Sequence, residues 1–275
     1  MTLNIGPMAG YTTIGKDRVI QINGVPLPDT DETYRGYALV GEHVSMPAPS
    51  ATTVVKNNGE WLQHWYAKKA AEKAWQLMRS GQPLPKEAFV NLAAAEAQQV
   101  GQHAADIGET IHALAWEMYA DRRESDDWST ASAEAWAMYQ AAGSQEVHMG
   151  LMAWNEFMDS VWPFEVLHTE VPLLHLGSSY GGVDFGGTVD GVIRLENGLD
   201  IVLDIKSGRI VKAGFFQVAA YAHALGIKKA CLVKTDKYFG RMSLHTVNVG
   251  AAYAAFEAQC RAWYARNTPL EVLEV

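Results

Sequence analysis

Two hydrophobic periods divide the chain. From Trp61 to about Ser160, apolar residues recur at three- and four-residue intervals, which predicts amphipathic helices. From about Val166 onward, apolar residues alternate with polar ones, which predicts strands. We predict five strands, in the segments VLHTEVPLLHL, DFGGTVDGVIRL, DIVLDIKS, ACLVKTDK and RMSLHTVNV. A helix over about residues 213–225 separates the third strand from the fourth, and a last helix covers about 251–266.

This order of elements predicts an α/β fold, in which a central mixed β-sheet is flanked by helices and preceded by a helical region. In the helical region we predict one helix in WLQHWYAKKAAEKAWQLM, two in KEAFVNLAAAEAQQVGQHAADIGETIHALAWEMYAD and one in EVHMGLMAWNEFMDSVW. STASAEAWAMYQAAG predicts a further helix, capped by Ser129 or Thr130. Near the N-terminus, RVIQINGVPL predicts short strands or a hairpin that turns at Asn23-Gly24.

These predictions divide the chain into three parts. Residues 1–48 form N-terminal strands and loops, residues 49–160 form the helical region, and residues 161–275 form the sheet-containing core. We expect the helical region and the core to make one compact unit.

The composition narrows the class of protein. Hydrophobic residues make up 48% of the 275 residues and charged residues 19%, which is typical of a globular protein with a substantial core. The two cysteines form no CxxC pair, which argues against a zinc ribbon or an iron–sulfur cluster and fits a reducing compartment. Neither a secretory leader nor an apolar run of about 18 residues is evident, so we expect a cytoplasmic protein without a membrane span.

Charge is unevenly distributed along the chain. The net charge of −9 speaks against a nucleic-acid ligand, because phosphate binding needs Lys and Arg. Between Asp204 and Arg241, however, eight basic residues stand against two acidic ones. This basic stretch could be a local DNA track or an ordinary solvated surface. The candidate DNA contacts in it are Arg209, Lys212 and Lys234.

The segment GTVDGVIRLENGLDIVLDIKSG carries charged residues at strand positions. Alternation puts Asp204 and Lys206 on one face of their strand. A two-residue turn at Asn197-Gly198 would put Asp190 of the preceding strand opposite Ile205, on the wrong face. One extra loop residue, or a bulge, would put Asp190 opposite Lys206 and diagonal to Asp204. We predict this longer connection.

Two neighbouring carboxylates repel each other unless one is protonated or a cation bridges them. Carboxylate oxygens suit Mg²⁺ or Mn²⁺, and a lysine beside the metal could orient a water molecule or offset charge on a phosphate. An ion-pair ladder on an exposed sheet face would use the same residues. The spacing alone favours neither interpretation.

An ordered set of motifs extends this pattern. It comprises Gly187 to Asp190, Asp204-Ile205-Lys206 and, on the following helix, Gln217 to Tyr221. Upstream, GETIHALA holds Gly108 and His112, and PSATTVVKNNGEW precedes a Trp-containing helix. Together these segments resemble the PD-(D/E)XK nuclease superfamily and its RecB-like, phage-type exonuclease branch. The resemblance covers about residues 49–225 and implies a restriction-endonuclease-like core.

The resemblance implies roles for individual residues. Asp190, Asp204 and His112 would bind the metal, with Glu170 as a further ligand. Lys206 would be the catalytic lysine, and Gln217 and Tyr221 would act near the site and the DNA. Without the family pattern, His112 would be interpreted as a buried helix histidine and Glu170 as a solvent-facing strand glutamate. The helix that carries Gln217 and Tyr221 would be a partly buried amphipathic helix. The further candidate DNA contacts are Ser50, Thr52 and Thr53.

The resemblance also implies an activity, a metal-dependent DNA exonuclease that uses Mg²⁺ or Mn²⁺ in phage recombination, replication or repair. It would act in the cytoplasm of a bacterial host, with a single-strand annealing protein as a possible partner. Cas4-like members bind an iron–sulfur cluster through four cysteines, and Cys231 and Cys260 are too few to supply them. We therefore expect no iron–sulfur cluster.

Three alternatives remain open at the level of sequence. The first is a structure-specific or flap endonuclease of the same fold. The second is a DNA-end-binding recombination partner with little turnover. The third is a hydrolase that acts on a substrate other than nucleic acid, which the net charge of −9 keeps open.

Overall fold

The computed structural model describes residues 2–3, 11–27, 30–42, 46–56, 60–81, 83–124 and 144–267. The strands of these ranges are β1 (Thr2–Leu3), β2 (Tyr11–Ile14), β3 (Val19–Pro26), β4 (Thr33–Leu39), β5 (Ala48–Pro49), β6 (Phe164–Leu176), β7 (Asp184–Leu195), β8 (Asp200–Lys206), β9 (Ala230–Thr235) and β10 (Met242–Val247). The helices are α1 (Ala51–Lys56), α2 (Glu60–Arg79), α3 (Lys86–Glu124), α4 (Gln145–Val161), α5 (Lys212–Ala224) and α6 (Val249–Asn267).

The central sheet has the strand order β1-β2-β6-β7-β8-β9-β10. Its neighbouring strands are antiparallel except β8 and β9, which are parallel and joined through α5. A parallel pair needs such a crossover, because its second strand must begin at the same end of the sheet as the first. A smaller sheet contains β3, β4 and β5. The predicted mixed α/β fold, with helices on the sheet, is confirmed.

Helices cover both faces of the central sheet. On one face, α1, α5 and α6 pack through buried residues such as Val54, Val218 and Trp263. On the other face, α3 and α4 pack through Ile111 and Trp154. The alternation of β8 divides its apolar side chains between the two faces. Val202 belongs to the first cluster, and Leu203 and Ile205 belong to the second. A sheet buried on both faces can hold charged groups only where they are paired or functional.

The segment predicted to form two helices is one helix, α3, which runs from Lys86 to Glu124. It holds many alanines and no proline, and its two glycines, Gly101 and Gly108, do not end the helix. Gly101 gives Tyr66 of α2 room to pack against α3, since a β-carbon at this position would lie 2.6 Å from the Tyr66 hydroxyl. The prediction of a break within this segment was therefore wrong.

The N-terminal part contains the predicted strand in RVIQINGVPL, β3, but not the predicted turn. Asn23-Gly24 is not a hairpin turn, because β3 continues through it with a register shift between Ile22 and Val25. Gly24 has a φ of 70°, the left-handed conformation that such a bulge requires. Strand β2, which the sequence pattern did not predict, pairs with β6 and widens the sheet. The segment STASAEAWAMYQAAG, with Ser129 and Thr130, lies outside the described residues.

Among the helices that the structure describes, none has both the length and the apolar character needed to cross a bilayer.

Candidate metal centre

The β7–β8 connection sets the position of Asp190. The N–H of Leu195 donates to the carbonyl of Leu199, which closes a three-residue loop around Gly198, whose φ is 78°. Gly191 pairs with Leu203, so Asp190 lies level with Asp204. The predicted longer connection is confirmed, but the predicted pairing of Asp190 with Lys206 was wrong. The extra loop residue is Glu196, from the β7 side. The predicted pairing would have needed Leu199, from the β8 side, and so the register is shifted in the direction opposite to the predicted one.

Strand β6 adds a third carboxylate to this row. Thr169 pairs with Gly191 and Val171 with Val189, so Glu170 lies level with Asp190. Glu170 has a φ of 44°, in the left-handed region that a non-glycine residue adopts at a cost of about 1–2 kcal/mol. Such strain is typical of functional positions that the surrounding structure holds in place. Three adjacent strands thus bring Glu170, Asp190 and Asp204 together.

The backbone of Ile205 orients two side chains of the site. Its N–H donates to Oδ2 of Asp190 at 2.8 Å, and its carbonyl accepts from Nε2 of His112 at 2.8 Å. The paired positions of β7 and β8 end at Gly191 and Leu203, so the two side chains satisfy backbone groups that the ladder no longer pairs. The side chain of Ile205 is fully buried and fixes this peptide. Sequence reasoning missed Ile205, although it is the middle residue of the Asp-x-Lys motif.

His112 on α3 faces the carboxylates with its other ring nitrogen. A carbonyl can only accept, so the bond to Ile205 places the proton on Nε2. Nδ1 then lies 3.5 Å from Oδ2 of Asp190 and 3.7 Å from Oε1 of Glu170. Burial would lower the pKa of His112, but the two carboxylates raise it above its ordinary value. The imidazole is therefore set to hold a proton, or a cation in its place, between the two carboxylates.

Two glycines allow α3 to lie close to the strands. A β-carbon on Gly191 would lie 2.5 Å from the ring of Trp116. A β-carbon on Gly108 would lie 3.2 Å from the hydroxyl of Ser207. These contacts on either side of His112 fix its height above β7 and β8. They also explain the glycine of the Gly-x-x-x-His pattern.

The ligand atoms of His112, Glu170 and Asp190 all lie within 4.8 Å of one another. Oε1 of Glu170 is buried and has no hydrogen-bond partner in the described structure, which is costly unless a cation or proton satisfies it. One imidazole nitrogen and two carboxylates suit a divalent cation such as Mg²⁺ or Mn²⁺. The residues therefore fit the metal that the sequence pattern implied.

Lys206 and Asp204 form an ion pair beside this group. The ammonium lies 2.9 Å from Oδ1 and 2.7 Å from Oδ2 of Asp204, whose side chain is 1% exposed. Burial raises the pKa of Asp204, against the opposing effect of Lys206. Burial would lower the pKa of Lys206, but Asp204 and Asp190 together raise it. The pair thus keeps a positive charge next to the metal-binding group.

Gln217 and Tyr221 contact each other on α5 and reach toward α1 and β7. Nε2 of Gln217 donates to the hydroxyl of Tyr221 and to Oγ1 of Thr52, each at 3.2 Å. Tyr221 is 1% exposed, and burial raises the pKa of its hydroxyl. A β-carbon on Gly187 would lie 2.4 Å from this hydroxyl. Two of the sequence motifs therefore meet in a direct contact, Gly187 against Tyr221.

The other candidate residues lie around this centre rather than in it. Ser50 is 2% exposed and caps α1 by accepting from the N–H of Thr53 at 2.9 Å. Arg209 and Lys234 line a groove that begins beyond the end of β8, and Lys212 is exposed at the start of α5.

Comparisons with known proteins identify the superfamily of the chain. The model of the PD-(D/E)XK nuclease superfamily matches residues 69–262. No curated protein matches the chain. Nineteen solved chains match it. The structure titled "Crystal structure of SSO0001" is one of these, with 17% identity, a TM-score of 0.29, and coverage of 50% of this chain and 69% of that chain.

Proposed function

The chain belongs to the PD-(D/E)XK nuclease superfamily, and we propose that it is a metal-dependent DNA exonuclease of the RecB-like, phage-type branch. The superfamily hydrolyses phosphodiester bonds, so the substrate is a nucleic acid. The choice of branch rests on the ordered motifs around His112, Asp190, Lys206 and Gln217. On the same resemblance, we assign the cleavage to phage recombination, replication or repair.

One observation carries the proposal. His112, Glu170 and Asp190 direct ligand atoms to within 4.8 Å of one another, beside the Lys206–Asp204 pair. We propose that these three residues, with Asp204 next to them, hold Mg²⁺ or Mn²⁺. When bound, the metal supplies Lewis-acid stabilisation of phosphate charge and lowers the pKa of a water molecule.

The protein's own groups supply the remaining chemistry. The ammonium of Lys206 can position the attacking water by hydrogen bonding and stabilise the negative charge that develops on the phosphate. Asp204 fixes the direction of that ammonium, which donates to Oδ1 and lies 2.7 Å from Oδ2. Ile205 orients Asp190 and His112 through its backbone, so their positions are set before the substrate binds.

The domain arrangement follows from the same residues. His112 belongs to the helical region, and Asp190 and Ile205 belong to the core. Because the centre needs both parts, we propose that the helical region and the core function as one unit.

The test is a cleavage time course with Mg²⁺ or Mn²⁺ on end-labelled linear DNA, single- and double-stranded, and on covalently closed circles. We expect metal-dependent loss of linear DNA only, absent in Lys206→Ala. Cleavage of closed circles would point to an endonuclease instead. Retention of DNA without any cleavage would favour an end-binding partner protein, and equal cleavage by Lys206→Ala would remove the lysine from the mechanism.

A further inference from the structure

A groove of about 1130 Å³ begins where β8 ends. One wall is formed by α2 and α3, through Trp65, Tyr66 and Ala104, and the other by the segments that follow β8 and β9. Lys206 pairs with Lys234 across these two parallel strands, so both strands deliver their following segments to the same place. In open α/β sheets, ligands bind beyond the carboxyl ends of the strands. Ser207, the residue after Lys206, lines the groove, so the groove adjoins the candidate metal centre.

The turn between β9 and β10 presents two large aromatic rings beside this groove. Tyr238, which lines the groove, is 66% exposed, and its neighbour Phe239 is 78% exposed. Exposing two adjacent rings forgoes the stabilisation that burial of apolar surface would give. A structural role alone does not explain rings that contact so little of the protein.

The same turn is rigidly held. Oδ1 of Asp236 accepts from the N–H groups of Tyr238 and Phe239, at 2.9 and 3.0 Å. The turn closes through the N–H of Gly240, which donates to the carbonyl of Asp236 at 2.9 Å, and Gly240 has a φ of 63°. Lys237 is buried and paired with Glu146 of α4 at 3.1 Å. The backbone that carries the two exposed rings is therefore held in place.

Charge in the groove is positive. Arg209 is exposed and forms no ion pair with the part of the chain that the structure describes. Lys68 also lines the groove, and its only ion pair in these ranges is a long one, 3.9 Å from Glu72. Aromatic rings with basic side chains along a groove are the combination that binds single-stranded nucleic acid, since the rings stack on bases and the charges follow the phosphates.

We infer that this groove binds a single DNA strand on its way to the metal centre, and that Tyr238 and Phe239 stack on its bases. This inference rests on the proposed nuclease function and specifies its substrate. A duplex would not suit the turn, because its base faces are already covered by neighbouring bases, whereas a single strand or a separated end offers free faces. Ala104 precedes His112 by eight residues on α3, which places the groove about 12 Å from the metal-binding histidine.

The test measures DNA binding in the Lys206→Ala background, where cleavage is not expected to interfere. Fluorescence anisotropy compares a labelled single strand with a blunt duplex of equal length. The double variant Tyr238→Ala/Phe239→Ala is compared with Tyr180→Ala, a matched control because Tyr180 is 67% exposed on a separate turn. A 2-aminopurine base in the strand reports stacking through loss of its fluorescence.

We expect the single strand to bind at least about tenfold more tightly than the duplex, and the double variant to lose at least about tenfold of that affinity. The 2-aminopurine quenching should disappear with it. Tyr180→Ala should change the affinity less than about twofold, and Tyr238→Phe, which keeps the ring, should retain both binding and quenching. Equal affinity for the two DNAs, or unchanged binding by the double variant, would overturn the inference. The assay contains no cleavage step, so an inactive enzyme would not be mistaken for a failed groove.

Discussion

Gly187 has its α-carbon against the side chain of Tyr221, and this contact explains one motif position by another. A β-carbon on Gly187 would lie 2.4 Å from two atoms of that side chain. Tyr221 is buried and its hydroxyl accepts from Gln217, so it has no free space to move into. The glycine is needed for close packing, three residues before Asp190.

We predict that Gly187→Ala destabilises the protein by about 1–3 kcal/mol, because overpacking forces buried groups apart. Gly208→Ala is the matched control, since a β-carbon there meets nothing within 4 Å and Gly208 lies in the segment after Lys206. Thermal unfolding of both variants measures the difference. Equal melting temperatures for the two variants would contradict the packing explanation.

Sequence reasoning at this scale predicted the shared face of Asp190, Asp204 and Lys206 but not their register. The direction of the shift depends on whether Glu196 or Leu199 joins the loop, and turn composition does not distinguish these. The strained backbone of Glu170 is also invisible in sequence, because nothing about a glutamate favours a positive φ. The roles proposed for these residues remain predictions until they are tested.

At the scale of elements, a buried histidine links two strands near the edge of the sheet. Nδ1 of His175 on β6 lies 2.8 Å from Oγ1 of Thr12 on β2, and the ring packs against Phe185. His175 is 3% exposed, and burial lowers its pKa to about 4, with His223 contributing in the same direction. The folded protein therefore keeps this ring neutral at pH values where the unfolded chain protonates it.

We predict an acid-dependent loss of stability from this residue. The unfolded histidine takes up a proton below about pH 6.5 and the folded one only near pH 4, so stability is complete above pH 6.5 and declines as the pH falls to 4. The full effect is about 3 kcal/mol. Between pH 7 and 4.5, the free energy of unfolding, measured with denaturant, should fall less steeply for His175→Gln than for the wild type. The control variant His64→Gln, at an exposed position, should follow the wild type. Parallel curves for His175→Gln and the wild type would contradict the assignment.

Long strands were easier to predict from the sequence than short ones. Alternation identified β6 to β10, and the helix after β8 was placed within one residue of α5. Strand β2 spans only Tyr11–Ile14, too short for a periodic signal, and it is recruited by the free edge of β6. The single helix α3 was missed because its internal glycines look like breaks until the contact of Gly101 with Tyr66 is known.

At the scale of the whole molecule, the distribution of charge matters more than its sum. The chain carries a net charge of −9, yet Arg209 lies along the groove beyond β8, near Lys234, which pairs with Asp236 at 3.0 Å. Composition alone could not reveal this, because the fold brings together the segments after β8 and β9. The same folding joins His112 of the helical region to Asp190 of the core, which no local sequence pattern specifies.

The most direct measurement is a calorimetric titration of Mn²⁺ into the wild type, Asp190→Asn and Asp200→Asn. Asparagine keeps an oxygen that can accept from Ile205 but removes the charge that a metal needs. Asp200 is the matched control, because it lies on the same hairpin and pairs with Arg194 at 2.7 Å, away from His112. We predict that the wild type and Asp200→Asn bind Mn²⁺ alike, and that Asp190→Asn loses at least about tenfold in affinity. Unchanged binding by Asp190→Asn, or no binding by the wild type, would contradict the metal centre on which the account depends.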